Sequence, residues 1–184
     1  MLDPEPFHNA VALRGAIDVL DPALRKFAVT AAVAHFQDRE VEPGEFTLVQ
    51  SFSIFKEING RWRYVSDLKG GEYFAKASES AALLAGDCDD HAVLMVACLK
   101  AVGSEARLVR TTGHVYPELM IGDAKAMERA AFLIRKVLFA AEVGDAPLHY
   151  HIDPDGRHWI NMDYTRRYPG GELMHEPIIG IMEI

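Results

Sequence analysis

Cysteine is scarce in this chain. The 184 residues contain two, Cys88 and Cys98. If both sit on one helix they lie about 15 Å apart along its axis, far beyond the roughly 7 Å between Cα atoms that a disulfide tolerates. That argues against a secreted disulfide scaffold and for a reducing compartment, with a cytoplasmic location as the expectation. Basic charge is short as well. Nineteen Lys and Arg stand against 27 Asp and Glu, a formal net charge of −8, and there is no basic run. Nucleic acid and anionic membrane are therefore not expected as partners. No apolar stretch is long enough to span a bilayer, and no internal repeat or low-complexity tract is present. The opening Met1-Leu2-Asp3-Pro4-Glu5-Pro6 is acidic and proline-rich, unlike a secretion signal.

What the chain has is apolar content. Hydrophobic residues make up 49% of it, enough to build a sizeable core without metal or disulfide staples. The length suggests one domain over residues 1–184.

Asp21-Pro22 reads as an N-cap followed by proline at the first helical position. Leu24, Phe27, Ala28, Ala31, Ala32 and Phe36 then recur at helical spacing up to the break at Pro43-Gly44. Phe46, Val49, Phe52, Ser53 and Ile58 predict a second helix, stopped by Asn59-Gly60. Residues 62–65 read as extended, Gly70-Gly71 as a loop, and 78–84 as a short helical turn ended by Gly86. Residues 88–102 are apolar on nearly every side, the mark of a central buried helix, and Gly103 is its C-cap. Strands are expected at 105–111, 114–121, 149–152, 157–163 and 177–184. Pro117 favours an edge position for the second of these, and Asp153-Pro154-Asp155-Gly156 is a turn between the third and fourth. A helical stripe, Met127, Ala130, Ala131, Ile134, Val137, Leu138 and Ala141, lies between the second and third strands. Helices first, then an antiparallel sheet, is an α+β layout.

Cys88 stands where the polar Gly86-Asp87-Cys88-Asp89-Asp90-His91 turns into the apolar helix. Backbone N–H groups at a helix N-terminus are unpaired and favour a nearby anion, and the thiolate is the reactive form of cysteine. Downstream come His114, opening a strand, and Asp163, ending one. Attack on an amide needs a nucleophile, a base and an orienter for that base; Cys88, His114 and Asp163 offer these in chain order. Strand periodicity puts Trp159 and Asp163 on one side, with Trp159 in reach of covering the triad, and gives His114, Tyr116 and Glu118 a common face. Each of the three has a plainer reading alone: a small buried thiol, one of eight histidines, a turn-capping acid. Their joint order carries the reading.

Two metal readings are weaker. Asp87, Asp89 and Asp90 are oxygen donors of the kind Ca²⁺ takes, but their spacing is not that of an EF-hand loop, and N-capping explains them better. His149 and His151 share one side of a strand near Asp153 and His158, a geometry open to zinc, yet no third ligand is identifiable. No metal or cofactor is expected.

These segments resemble the transglutaminase-like superfamily. Gly86-Asp87-Cys88 with the helix behind it, Gly103, and Arg107 in the next strand are similar to the family's core. Gly113-His114-Val115-Tyr116-Pro117-Glu118 resembles its His-Ala-Trp-x-Glu strand, with Tyr116 in place of tryptophan. Trp159-Ile160-Asn161-Met162-Asp163-Tyr164-Thr165 resembles its Trp-x-x-x-Asp-x-Thr strand, and Tyr64-Val65-Ser66-Asp67 its Tyr-x-x-Asp element. The likeness runs from about residue 45 to 165. It implies a papain-like fold, a Cys88, His114, Asp163 triad, and acyl transfer from an amide through a thioester. Hydrolysis of a peptide or protein substrate, as by a cysteine protease or amidase, is the expectation. Transfer to an amine, and a binding module without turnover, are the alternatives. For the oxyanion the Cys88 N–H is one donor; among Trp62, Tyr64 and Tyr73, Tyr64 is favoured as the other. The chain departs from the family in an extra helix at about 123–143, where Phe132 and Phe139 are placed either on the core or as a lid.

Overall fold

A computed structural model describes residue 7 and residues 9–66, 73–173 and 177–184. The Asp67 and Gly70-Gly71 expectations, like the first six residues, lie outside them.

Asp21 opens a helix as its sequence predicts. Its Oδ1 accepts from the N–H groups of Ala23 (2.8 Å) and Leu24 (3.0 Å), with Pro22 at the first turn. This helix is α2, Pro22–Ala32. It stops short of Phe36, which takes a left-handed backbone with φ of 67°. A short helix ahead of it, α1 (Ala10–Ala16), has no counterpart in the sequence pattern, because only Leu13 and Ala16 of its residues are buried and no stripe is legible. Helix α3 spans Phe46–Arg61 and carries Asn59-Gly60 inside it. The buried Ile58 holds this turn in place, and its carbonyl accepts from Trp62 N–H at 2.8 Å beyond the glycine.

Strands β1 (Arg63–Tyr64) and β2 (Ala85–Gly86) form a small parallel pair on either side of helix α4, Ala77–Leu83. Leu84, left-handed at φ 47°, ends α4, so the stop comes two residues before Gly86. Gly86 has another duty: a Cβ there would lie 2.4–2.9 Å from the Asp90 side chain, so only glycine admits this close approach.

Helix α5, Cys88–Ala101, is buried continuously from Asp90 to Leu99. Such all-round apolarity is what a helix wrapped by other elements needs. Five antiparallel strands cover it: β3 (Ala106–Thr111), β4 (His114–Gly122), β5 (Tyr150–Ile152), β6 (His158–Asn161) and β7 (Gly180–Glu183), in the order β5-β6-β4-β3-β7. Leu108, Leu119, Ile160 and Met182 share one sheet face and join α5, α2 and α3 in a single core. The mixed helical and antiparallel architecture is the α+β fold expected of a transglutaminase-like core.

Pro117 does not mark an edge. Strand β4 lies in the middle of the sheet, paired with β3 through Leu108 opposite Pro117 and with β6 up to Glu118 opposite Asn161. The missing proline N–H falls where β6 ends, while the Pro117 carbonyl still accepts from Met162 N–H at 2.9 Å. The proline thus terminates a ladder inside the sheet.

The segment between β4 and β5 is helical in three pieces: α6 (Ala124–Phe132), a π-helical stretch (Leu133–Leu138) and α7 (Ala140–Val143). Phe139 is fully buried, edge-on to Phe36, Phe52 and Phe55. It is part of the core. Phe132 stays at the surface under the Arg129 guanidinium.

Candidate active site

Asp87 caps α5. Its Oδ1 accepts from Asp89 N–H (3.2 Å) and Asp90 N–H (3.4 Å), and Asp90 Oδ2 accepts in return from Asp87 N–H (3.4 Å). The other Asp90 oxygen accepts from Ala75 N–H at 3.0 Å. These bonds hold the loop so that Cys88 is the first residue of the helix and half-buried. Its sulfur lies at the positive end of the helix dipole.

His114 opens β4, and Asp163 lies two residues beyond the end of β6. The fold brings both to Cys88. His114 Nε2 and Asp163 Oδ2 are 2.7 Å apart, and both side chains are buried. The Cys88 side chain acts on the same imidazole, through a hydrogen bond and through charge. Burial alone would lower the pKa of this imidazole. The hydrogen bonds and charges of Asp163 and Cys88 outweigh it and push His114 up to about 9. The ring is therefore held as a cation across neutral pH.

Tyr116 is buried and stacked on His114, with ring centroids 6.0 Å apart and an 18° interplanar angle. Tyr64 is 57% exposed, with its ring 6.0 Å from that of Tyr164. Trp159 does not cover the triad. It pairs across the sheet with Met120, six residues and so roughly 20 Å along β4 from His114. Its indole lies against the Arg107 guanidinium (4.1 Å) and donates to Asp153 at 2.9 Å. The even period puts Trp159 and Asp163 on one side but says nothing of their separation along the strand. Arg107 is itself paired with the buried Glu118 at 2.7 Å, and Glu118 also takes His151 Nδ1.

Three residues at the site escape the sequence pattern. Tyr164 lies between rings, 6.0 Å from His114 and 5.1 Å from His91. Burial, then the charges of Asp163 and Cys88, raise its hydroxyl pKa. His91 is fully buried, and its Nε2 is 2.7 Å from Asn59 Oδ1. Asn59 Nδ2 donates to the Asp163 carbonyl at 3.1 Å. His91 stands three residues after Cys88, one turn along the same side of the helix, which is the one sequence signal that points to it.

Among the described residues, one group of three possible metal ligands is close-set: one atom each from Asp87, Cys88 and Asp89, all within 4.8 Å of one another. Burial, a hydrogen bond with Asp87 and the charges of Asp87 and Asp90 push the Asp89 carboxyl up to about 8. The hairpin residues do not form such a group. His151 is committed to Glu118, and His158 sits opposite Ile152, its ring against Tyr150.

A central helix opening on cysteine, backed by an antiparallel sheet that delivers a histidine and an aspartate to it, defines a papain-like arrangement. The family model of the transglutaminase-like superfamily matches residues 45–164, and the chain belongs to that superfamily. No curated protein matches the sequence as a relative.

Proposed function

We propose that the protein is a thiol enzyme that transfers an acyl group from a peptide or side-chain amide, with water as the acceptor, as a cysteine peptidase or amidase does. Cys88 Sγ attacks the carbonyl carbon, and its proton is held on His114. The C–N bond of the tetrahedral intermediate breaks as His114 gives that proton to the leaving amine. A water then attacks the thioester, His114 takes its proton, and the carboxylic acid and free thiol are released. Asp163 orients the imidazole and stabilises its cation. The Cys88 N–H and the Tyr64 hydroxyl serve the oxyanion, and Tyr116 fixes the plane of His114. The observation that carries this reading is the buried 2.7 Å His114–Asp163 pair with Cys88 bonded to the same imidazole. Two unpaired cysteines suit a reducing compartment such as the cytoplasm, and among the described residues no helix is long and apolar enough to cross a membrane.

A second reading, an amine in place of water, has one observation behind it. An Asp87 carboxylate oxygen lies within 4.8 Å of the sulfur, and a negative charge there attracts an ammonium group. Product analysis with a glutamine peptide, with and without a primary amine, separates the two. Deamidated or cleaved peptide in both arms is the expected result; amine adduct alone would overturn the hydrolytic reading.

A further inference from the structure

Asp163 stands outside regular structure, so something other than a strand ladder must hold it. Two of its hydrogen bonds are local: its N–H donates to Asn161 Oδ1 (2.9 Å) and its Oδ1 accepts from Tyr164 N–H (2.8 Å). Both would survive a shift of the whole turn. The bond from Asn59 would not, because Asn59 belongs to α3, more than 100 residues earlier in the chain.

The atoms of this contact assign themselves. A backbone carbonyl only accepts, so the Asn59 nitrogen faces Asp163 and its oxygen faces His91. The Asn59 oxygen also only accepts, so His91 Nε2 carries the proton and Nδ1 is bare. Nδ1 is buried and without a partner. Burial foremost, then the charge of His114, lowers His91 to about 4 against the pull of Asp163. The ring is neutral and locked in one tautomer, edge-on to Trp62 and Tyr164.

We infer that Asn59, ordered by His91, is a positioning residue for the reaction: the chain His91 Nε2–H to Asn59 Oδ1 and Asn59 Nδ2–H to the Asp163 carbonyl ties the orienter of His114 to the helix that bears Cys88. Helix α5 sets the place of Cys88 and, one turn on, of His91. Asn59 passes that register to Asp163, so nucleophile and orienter keep a common frame although they sit on different elements. A displacement of about 1 Å at a reacting group costs on the order of a hundredfold in rate, so such a tie has a kinetic effect without touching substrate. The inference rests on the Cys88, His114, Asp163 reading proposed above.

The test compares Asn59→Leu, His91→Leu and His91→Gln in the intact chain. It reads the pH at which the His114 ring titrates by NMR and the rate at which iodoacetamide labels Cys88 at pH 6. Wild-type His114 is expected to titrate near 9. Both leucine variants are expected to lower that value by about one unit and slow labelling about tenfold. His91→Gln, whose amide can still donate to Asn59, is expected to keep both near wild type. A role in packing alone predicts the opposite order, since leucine suits the apolar space between Trp62 and Tyr164 better than a buried amide. Leucine equal to or better than glutamine at position 91 overturns the inference. Asn59→Ser, with its shorter reach, replaces Asn59→Leu if that variant does not fold. His114→Ala is the control: if it labels as wild type does, the underlying reading of Cys88 fails, and the inference with it.

Discussion

Replacing Asp163 by asparagine keeps the shape of the side chain and removes the charge that holds His114 as a cation. The consequence for stability follows from the His114 shift. Its pKa rises from 6.5 to about 9 in the folded protein. A group raised on folding stabilises fully below its unfolded value, and that stability is lost as pH rises through the folded value. At about 1.4 kcal/mol per unit, wild type should lose about 3 kcal/mol at this site between pH 6 and pH 10. Cys88 contributes part of the shift and is still present in the variant, so the difference between the two proteins should be about 2 kcal/mol. In Asp163→Asn the imidazole is buried without its carboxylate and stays neutral over more of that window. Urea unfolding of both proteins from pH 6 to pH 10 measures this, because the other titrating groups largely cancel in the difference. The stability gap should close by about 2 kcal/mol toward alkaline pH, which is roughly a 1 M change in the difference between midpoints. A gap that stays constant across the range would refute the charged His114–Asp163 pair.

Three further outcomes are expected. Phe139→Ala, which empties the space among Phe36, Phe52 and Phe55, should cost about 3–5 kcal/mol in urea unfolding while Cys88 labelling in the folded protein stays near wild type; a change in labelling at unchanged stability would make it a lid residue. Gly86→Ala drives a methyl into the Asp90 side chain and should cost about 1–3 kcal/mol together with Cys88 reactivity, since Asp90 braces the capping loop; a neutral effect on both would show that the loop yields. Glu118→Ala strands the buried Arg107 and should destabilise by about 3–5 kcal/mol by the same assay, more than any exposed ion pair such as Arg61–Glu57; a loss below about 1 kcal/mol would mean that Arg107 finds water.

The parts of the fold that the sequence made legible are those where one local rule operates undisturbed. Asp21-Pro22 caps α2 because capping is decided within three residues. The apolar run after Cys88 is the central helix because nothing but burial explains it. The misreadings are places where a distant neighbour decides. Asn59-Gly60 stays helical because Ile58 is packed and because Asn59 is used by His91 and Asp163, neither of which is visible from its flanks. Pro117 sits in a central strand because β6 ends beside it, a fact of register. At the site, the closeness of His114 to Asp163 was legible in their order and settings, and that of Tyr116 to His114 in their shared face, while the roles of these residues and of Cys88 belong to the proposal. Trp159 could not be placed, because periodicity fixes a face and not a distance. Asn59 and Tyr164 were out of reach for the same reason: one is a long-range contact, the other an orientation.

The central claim is that His114 activates Cys88, and the most direct test is the rate of Cys88 alkylation as a function of pH in wild type and in His114→Ala. A free thiol with a pKa of about 8.5 is almost wholly protonated and slow at pH 6. Cys98 is fully buried and serves as the internal control. The account predicts labelling of Cys88 that persists down to pH 6 in wild type and collapses in His114→Ala, with Cys98 untouched in both. Equal rates in the two proteins, following the profile of a free thiol, would contradict it.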